Sequence, residues 1–178
     1  MAYRKDKSMT LEILGAVFVI TACGSVGFKI AAAYRREERT LRNLIMILDY
    51  MECELQYRMT PLPALCRQAS AESGGVLSNL FLQLSAELED QISPDVDRCM
   101  HAALNKVTNI PRITLEALKR LGHSLGRFDM DGQLRGLESV RQDCRRNLKQ
   151  LEQNGDTRLR SYQTLGLCAG AAMVILFI

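Results

Sequence analysis

The stretch "LGHSLGRFDMDGQLRGLE" (Leu121–Glu138) can be read in three ways, and each reading gives a different fold. Gly122-His123-Ser124-Leu125-Gly126 fits G-x-S-x-G, the nucleophile elbow of α/β hydrolases. Asp129-Met130-Asp131-Gly132, with Glu138 six residues past the glycine, fits the later part of a calcium-binding EF-hand loop. Read locally, the same residues form a tight corner between two helices.

The first two readings fail on chemistry. An elbow needs a strand ahead of its serine, because the sharp strand-to-helix turn is what holds the hydroxyl proud. Here "ITLEALKRL" (Ile113–Leu121) has helical periodicity, and no histidine follows Ser124 to complete the order serine, acid, histidine. His101 lies upstream and His123 is the serine's own neighbour. For calcium, Gly132 at loop position six puts Asp129, Asp131 and Glu138 at positions three, five and twelve. Arg127 then falls at position one and Arg135 at position nine, so two cations stand where the ion needs negative charge. The corner remains: Gly126 ends one helix, and either Asp129 or Asp131 caps the next.

Helices follow on both sides. Leu41, Leu44, Ile45, Leu48, Met51 and Leu55 form an apolar stripe at three- and four-residue spacing. "RMTPLPAL" (Arg58–Leu65) stops that helix, with Thr60 expected as N-cap and Pro61 opening a short helix to about Ser70. Gly74-Gly75 closes it. Leu77, Leu80, Phe81, Leu84 and Leu88 make the next stripe, to Ser93-Pro94, and Asp95 and Asp97 open another helix. After Asn109-Ile110-Pro111 the pattern predicts a helix from Thr114 to Arg127 through Leu115, Leu118, Leu121 and Leu125. The last helix carries Leu134, Leu137, Val140, Cys144, Leu148 and Leu151 on one side. No alternating β-branched run occurs between the two terminal apolar stretches, so the fold class is all-α, a helical bundle. The Pro and Gly breaks speak against a sustained coiled-coil spacer.

Composition narrows the function. Among 178 residues, Lys+Arg number 23 and Asp+Glu 20, Trp is absent and aromatics are 6%. This lacks the basic face with stacking aromatics of a nucleic-acid binder, so no nucleic acid is expected. Six scattered cysteines without a C-x-x-C pair, and two histidines, give neither a zinc site nor a disulfide framework, and no cofactor motif appears.

The chain ends are apolar. Met9–Ala33 carries only Glu12 and Lys29 as charges, and Ser161–Ile178 carries none. A membrane-spanning helix needs about 20 mostly apolar residues. The expected organisation is a transmembrane helix over 9–34, a cytoplasmic helical bundle over 35–160 and a second transmembrane helix over 161–178. A cleaved lipoprotein signal ending at Cys23 is the rival, but apolarity resumes past Cys23, where mature chain should turn polar. Arg35, Arg36, Arg39 and Arg42 after the first segment, and Arg145 to Arg160 before the second, put the middle in the cytoplasm by the positive-inside rule. The spans offer neither His nor Asp, so no intramembrane protease chemistry is available.

Several patterns together resemble the stage III sporulation protein AB family of endospore-forming bacteria. They are "LGA" (Leu14–Ala16) and Gly27-Phe28 in the first apolar segment, then "MECELQYRMTPL" (Met51–Leu62) through Glu52, Glu54, Tyr57 and the Thr60-Pro61-Leu62 turn. "LGRFDMDGQ" (Leu125–Gln133) matches through Leu125, Gly126, Asp129 and Gln133, and "YQTLGLCAG" (Tyr162–Gly170) matches the second segment. The resemblance implies a role rather than a reaction, with no catalytic or metal residues. The implied role is a platform protein in the mother-cell membrane around the forespore, similar to the inner-membrane platform of type II secretion and type IV pilus machines. Its implied partners are a cytoplasmic secretion-type ATPase, ring-forming channel proteins of the intermembrane space and the lipid bilayer. Leu125, Gly126, Asp129 and Gln133 then serve either as a partner site or as a structural corner, and Glu52, Glu54 and Tyr57 as weaker partner candidates. A membrane-tethered scaffold without ATPase contact is the alternative. Against continuous helix, "EQNGDT" (Glu152–Thr157) carries an Asn-Gly turn signal, so a kink is expected there.

Overall fold

In the structure, a computed structural model, residues 3–90, 95–125 and 130–177 are described, with side chains described for 29–90, 95–125, 130–155 and 164. The described elements are all helical: α1 (Tyr3–Arg58), α2 (Leu62–Glu72), α3 (Val76–Glu89), α4 (Val96–Lys106), α5 (Arg112–Ser124) and α6 (Met130–Phe177). They fall into two compact units. One is Arg36–Leu151, which holds α2 to α5 and the adjoining lengths of α1 and α6. The other joins Met1–Arg35 with Glu152–Ile178.

The core of the 36–151 unit takes in the α1 and α3 stripes legible in the sequence and adds α2 and α4 residues that no stripe had marked. Leu41, Leu44, Leu48 and Met51 of α1 are fully buried, as are Leu65 of α2, Leu77, Leu80, Phe81 and Leu84 of α3 and Met100 of α4. Each such side chain contributes about 2 kcal/mol of burial free energy, so the bundle draws its stability from this shared interior. Helix α2 packs on α3, α3 on α4, and α4 on α5. Helix α1 is tied to several neighbours by polar contacts. Tyr50 Oη shares a hydrogen bond with Gln68 of α2 (3.2 Å), and Glu37 accepts from the Thr114 backbone N–H of α5 (3.1 Å).

Helix ends depart from the expected boundaries in instructive places. Thr60 does not cap α2. Pro61 holds that position in extended backbone, Pro63 follows inside the first turn, and the Thr60 hydroxyl turns back to Glu54 instead (3.1 Å). Helix α5 starts at Arg112 and stops at Ser124, short of Arg127. Pro111 is fixed in extended backbone and suits the residue before a helix, and Leu125 is extended with its N–H still bonded to Leu121 O (3.0 Å). The buried face of α5 runs Thr114, Ala117, Leu118, Leu121, and Leu115 is only half-buried. Gly75 sits at φ +63°, the left-handed region that favours glycine, and turns the chain into α3. Asp95 caps α4 by accepting from the Asp97 N–H (3.2 Å).

The Asn154-Gly155 turn signal does not end the helix: α6 is helical through Glu152–Thr157. A Cβ placed on Gly155 would stand 3.8 Å from the ring of Tyr34, ordinary contact between the two helices of that terminal unit. Among the described residues, no helix is long and apolar enough to cross a membrane. The apolar stretches expected to span, within 9–34 and 161–178, lie largely outside the residues whose side chains are described.

Candidate functional site

In the opening stretch the described residues end α5 at Ser124 and begin α6 at Met130. Ser124 is the last residue of α5, and its hydroxyl donates to the backbone carbonyls of Arg120 (2.9 Å) and Leu121 (3.2 Å). It is therefore spent on its own helix end rather than presented as a nucleophile. Glu138, the would-be twelfth calcium ligand, is held by Arg141 and by Gln142 Nε2 (2.7 Å), and Met130 already begins a helix. Of the four corner residues proposed as a partner site, Leu125 is buried and Gln133 half-buried, while Gly126 and Asp129 lie outside the described residues.

Two close approaches between helices have a visible cause. A Cβ on Gly136 of α6 would stand 2.5 Å from Cβ of Ser124, and one on Gly122 of α5 would stand 2.6 Å from Cβ of Met100 in α4. Real atoms do not approach so closely, so both glycines let helices cross at near-backbone contact.

The second candidate cluster, Glu52, Glu54 and Tyr57, divides three ways. Glu52 faces α6, where Arg141 binds it together with Asp49 (2.5 Å) and Glu138. Arg141 is the hub: its side chain is only 17% exposed, it serves three carboxylates, and Arg145 adds a longer contact to Asp49 (3.6 Å). Glu54 is buried and pairs with Arg58 (3.3 Å) while accepting from Thr60, locking the end of α1 to the turn. Tyr57 is different. It is 79% exposed, and two residues on Met59 is 72% exposed with backbone in the left-handed region (φ 49°). A non-glycine residue held there costs about 1 kcal/mol or more, and such strain gathers at functional positions.

Arg141 and Met59 were not singled out in the sequence. Arg141 looks like one more solvated cation, and only the fold brings it against Asp49 ninety-two residues away. Met59 carries a faint signal, an apolar residue just before a Thr-Pro break.

With this geometry in view, the comparisons with known proteins fall into place. The profile of the family described as Stage III sporulation protein AB (spore_III_AB) matches residues 12–178. The chain belongs to that family. The curated relative from Bacillus subtilis (strain 168), Stage III sporulation protein AB, is 28% identical over 169 residues, covering 93% of this chain and 98% of the relative. A solved structure of Stage III sporulation protein AB (SpoIIIAB) superposes with a TM-score of 0.60 at 23% identity, over 68% of this chain and 97% of that one. That likeness speaks to the fold, which the two share. Family membership makes this a sporulation protein, with no catalytic role indicated.

Buried thiols complete the site's surroundings. Burial pushes the Cys66 thiol up to about 12, and burial with the nearby Asp143 carboxylate pushes Cys144 up to about 11. Both behave as small core side chains. Cys53, on the outward side of α1, is exposed.

Proposed function

We propose that the protein is a non-enzymatic membrane platform of a secretion-like channel complex between mother cell and forespore, and that its bundle docks a cytoplasmic secretion-type ATPase. In this reading the terminal segments 9–34 and 161–178 hold it in the mother-cell membrane around the forespore, and 35–160 faces the cytoplasm. Ring-forming proteins of the intermembrane space are its lateral partners. Membership in the sporulation family supports the context. The observation that carries docking is the bare pair Tyr57 and Met59 at the α1–α2 turn. Tyrosine and methionine on a rigid, strained corner are the side chains that partner surfaces favour.

In-cell crosslinking during sporulation, with a photoreactive residue replacing Gln56 beside the corner, tests this. Capture of a secretion-type ATPase that is lost in Tyr57→Ala, while helical content is unchanged, is the expected result. Repeated capture of no ATPase would leave a tethered scaffold and sink the docking role.

A further inference from the structure

The 36–151 unit is neutral as a whole, with sixteen basic and sixteen acidic residues, yet its charge is unevenly placed. Residues 62–111, spanning α2 to α4, hold three basic against six acidic residues, a net of −3. Residues 112–151, from α5 onward, hold nine basic against five acidic, a net of +4.

Two outward helix faces concentrate this difference. Helix α3 exposes Leu82 (50%) and Ala86 one turn on, between exposed Glu72 at the end of α2 and exposed Asp90 at the end of α3. Helix α6 exposes Arg135 and Lys149 with small or polar Ser139 and Gln142 between them. The α3 side therefore carries acids without an ion pair around an exposed apolar residue, and the α6 side carries bases without an ion pair around polar ones. Neighbouring charges on these faces are already engaged: Glu89 pairs with Arg67, and Arg146 with Asp143. Glu72, Asp90, Arg135 and Lys149 have no ion pair among the described residues.

We propose that the α3 face of one copy docks on the α6 face of a second copy, head to tail. A second copy brings both faces at once, opposite in sign. An external polyanion would use α6 alone and leave the acid-flanked Leu82 face without a role. Pairing unlike faces is heterologous, so it builds rings or open chains rather than a closed two-fold dimer.

Charge reversal on each face separately tests this with the full-length chain in mild detergent. One variant carries Arg135→Glu and Lys149→Glu, the other Glu72→Lys and Asp90→Lys; all four sites are exposed, and circular dichroism checks that folding survives. By sedimentation velocity at about 0.05 M salt, the wild-type chain self-associates, and association weakens markedly at about 0.5 M. Each variant alone loses association by at least about tenfold, the size of one or two weakened ion pairs. Mixing the two restores it, because each now supplies the face that complements the other. A wild-type chain that stays monomeric at low salt overturns the proposal. So does association that neither variant weakens, or loss in both variants without rescue on mixing.

Discussion

Arg141 of α6 donates to Asp49 of α1 across 2.5 Å, joining two helices that are ninety-two residues apart in the chain. The same guanidinium reaches Glu52 on α1 and Glu138 on its own helix. Glu52 and Glu54, two residues apart on one helix, project about 200° from each other. That separation is why Glu52 meets Arg141 while Glu54 turns to Arg58 and Thr60.

Removing the hub should loosen the join between these helices. Arg141→Ala leaves three carboxylates crowded without their cation. Asp49 and Glu138 remain more than a third exposed, so water screens part of the repulsion. The expected loss is about 2 kcal/mol, below the cost of stranding a fully buried charge. A shift of the urea midpoint measures it. Arg141→Lys should recover only part, since an ammonium cannot bridge several carboxylates in the forked geometry of arginine. Equal stability of all three proteins would show that the cluster contributes nothing.

Alanine at Gly136 should destabilise although alanine favours helix over glycine by about 1 kcal/mol. Its methyl would stand 2.5 Å from Cβ of Ser124, so α5 and α6 must part. Ser124→Gly removes the obstructing atoms, and the double variant Gly136→Ala/Ser124→Gly should regain most of the loss. A double-mutant cycle with no coupling between the two positions would contradict the close crossing. Gly122→Ala should cost stability in the same way, through Met100.

Much of this architecture was legible beforehand. The stripes at Leu41–Leu55, Leu77–Leu88 and Leu134–Leu151 are local facts, because helical periodicity is written in the spacing of neighbours, although Leu134 and Leu148 end only half-buried. The helix ends were read less well. Thr60 has the chemistry of a cap, but Pro61 and Pro63 fix the backbone differently and Glu54 competes for its hydroxyl. Nor does Asn154-Gly155 interrupt α6, since a dipeptide's turn preference is small beside the continuous hydrogen bonding of a long helix. For the candidate site, Tyr57 was named and stands exposed, but Arg141 could not be found. Its importance depends on which helix lies opposite, and no local pattern encodes that.

Stability should fall in alkali through two thiols. An ordinary thiol loses its proton near 9.0, but Cys66 keeps it to about 12 and Cys144 to about 11. In that window the unfolded chain has released protons that the folded chain retains, so rising pH favours unfolding. Each thiol adds a slope of up to about 1.4 kcal/mol per pH unit. Urea midpoints at pH 8 and 10 should diverge in the parent and converge in Cys66→Ala/Cys144→Ala, measured against that variant's own baseline. Native alkylation at pH 8 should modify Cys53 and spare Cys66, Cys99 and Cys144, which are buried.

Met59 allows stability and docking to be separated in one residue. Its left-handed backbone (φ 49°) strains any side chain with a Cβ, and glycine adopts it freely. The side chain is 72% exposed, so little packing is lost when it is removed. Met59→Gly should therefore raise stability by about 0.5 to 1 kcal/mol, after allowing for glycine's greater freedom in the unfolded chain. The same change deletes an exposed apolar side chain beside Tyr57, so crosslinking to the ATPase should weaken. A stabilised protein that sporulates poorly would tie the strain at this corner to partner binding. A stabilised protein with normal sporulation and undiminished capture would mean that Met59 is only a poorly suited turn residue, and that Tyr57 must act without it.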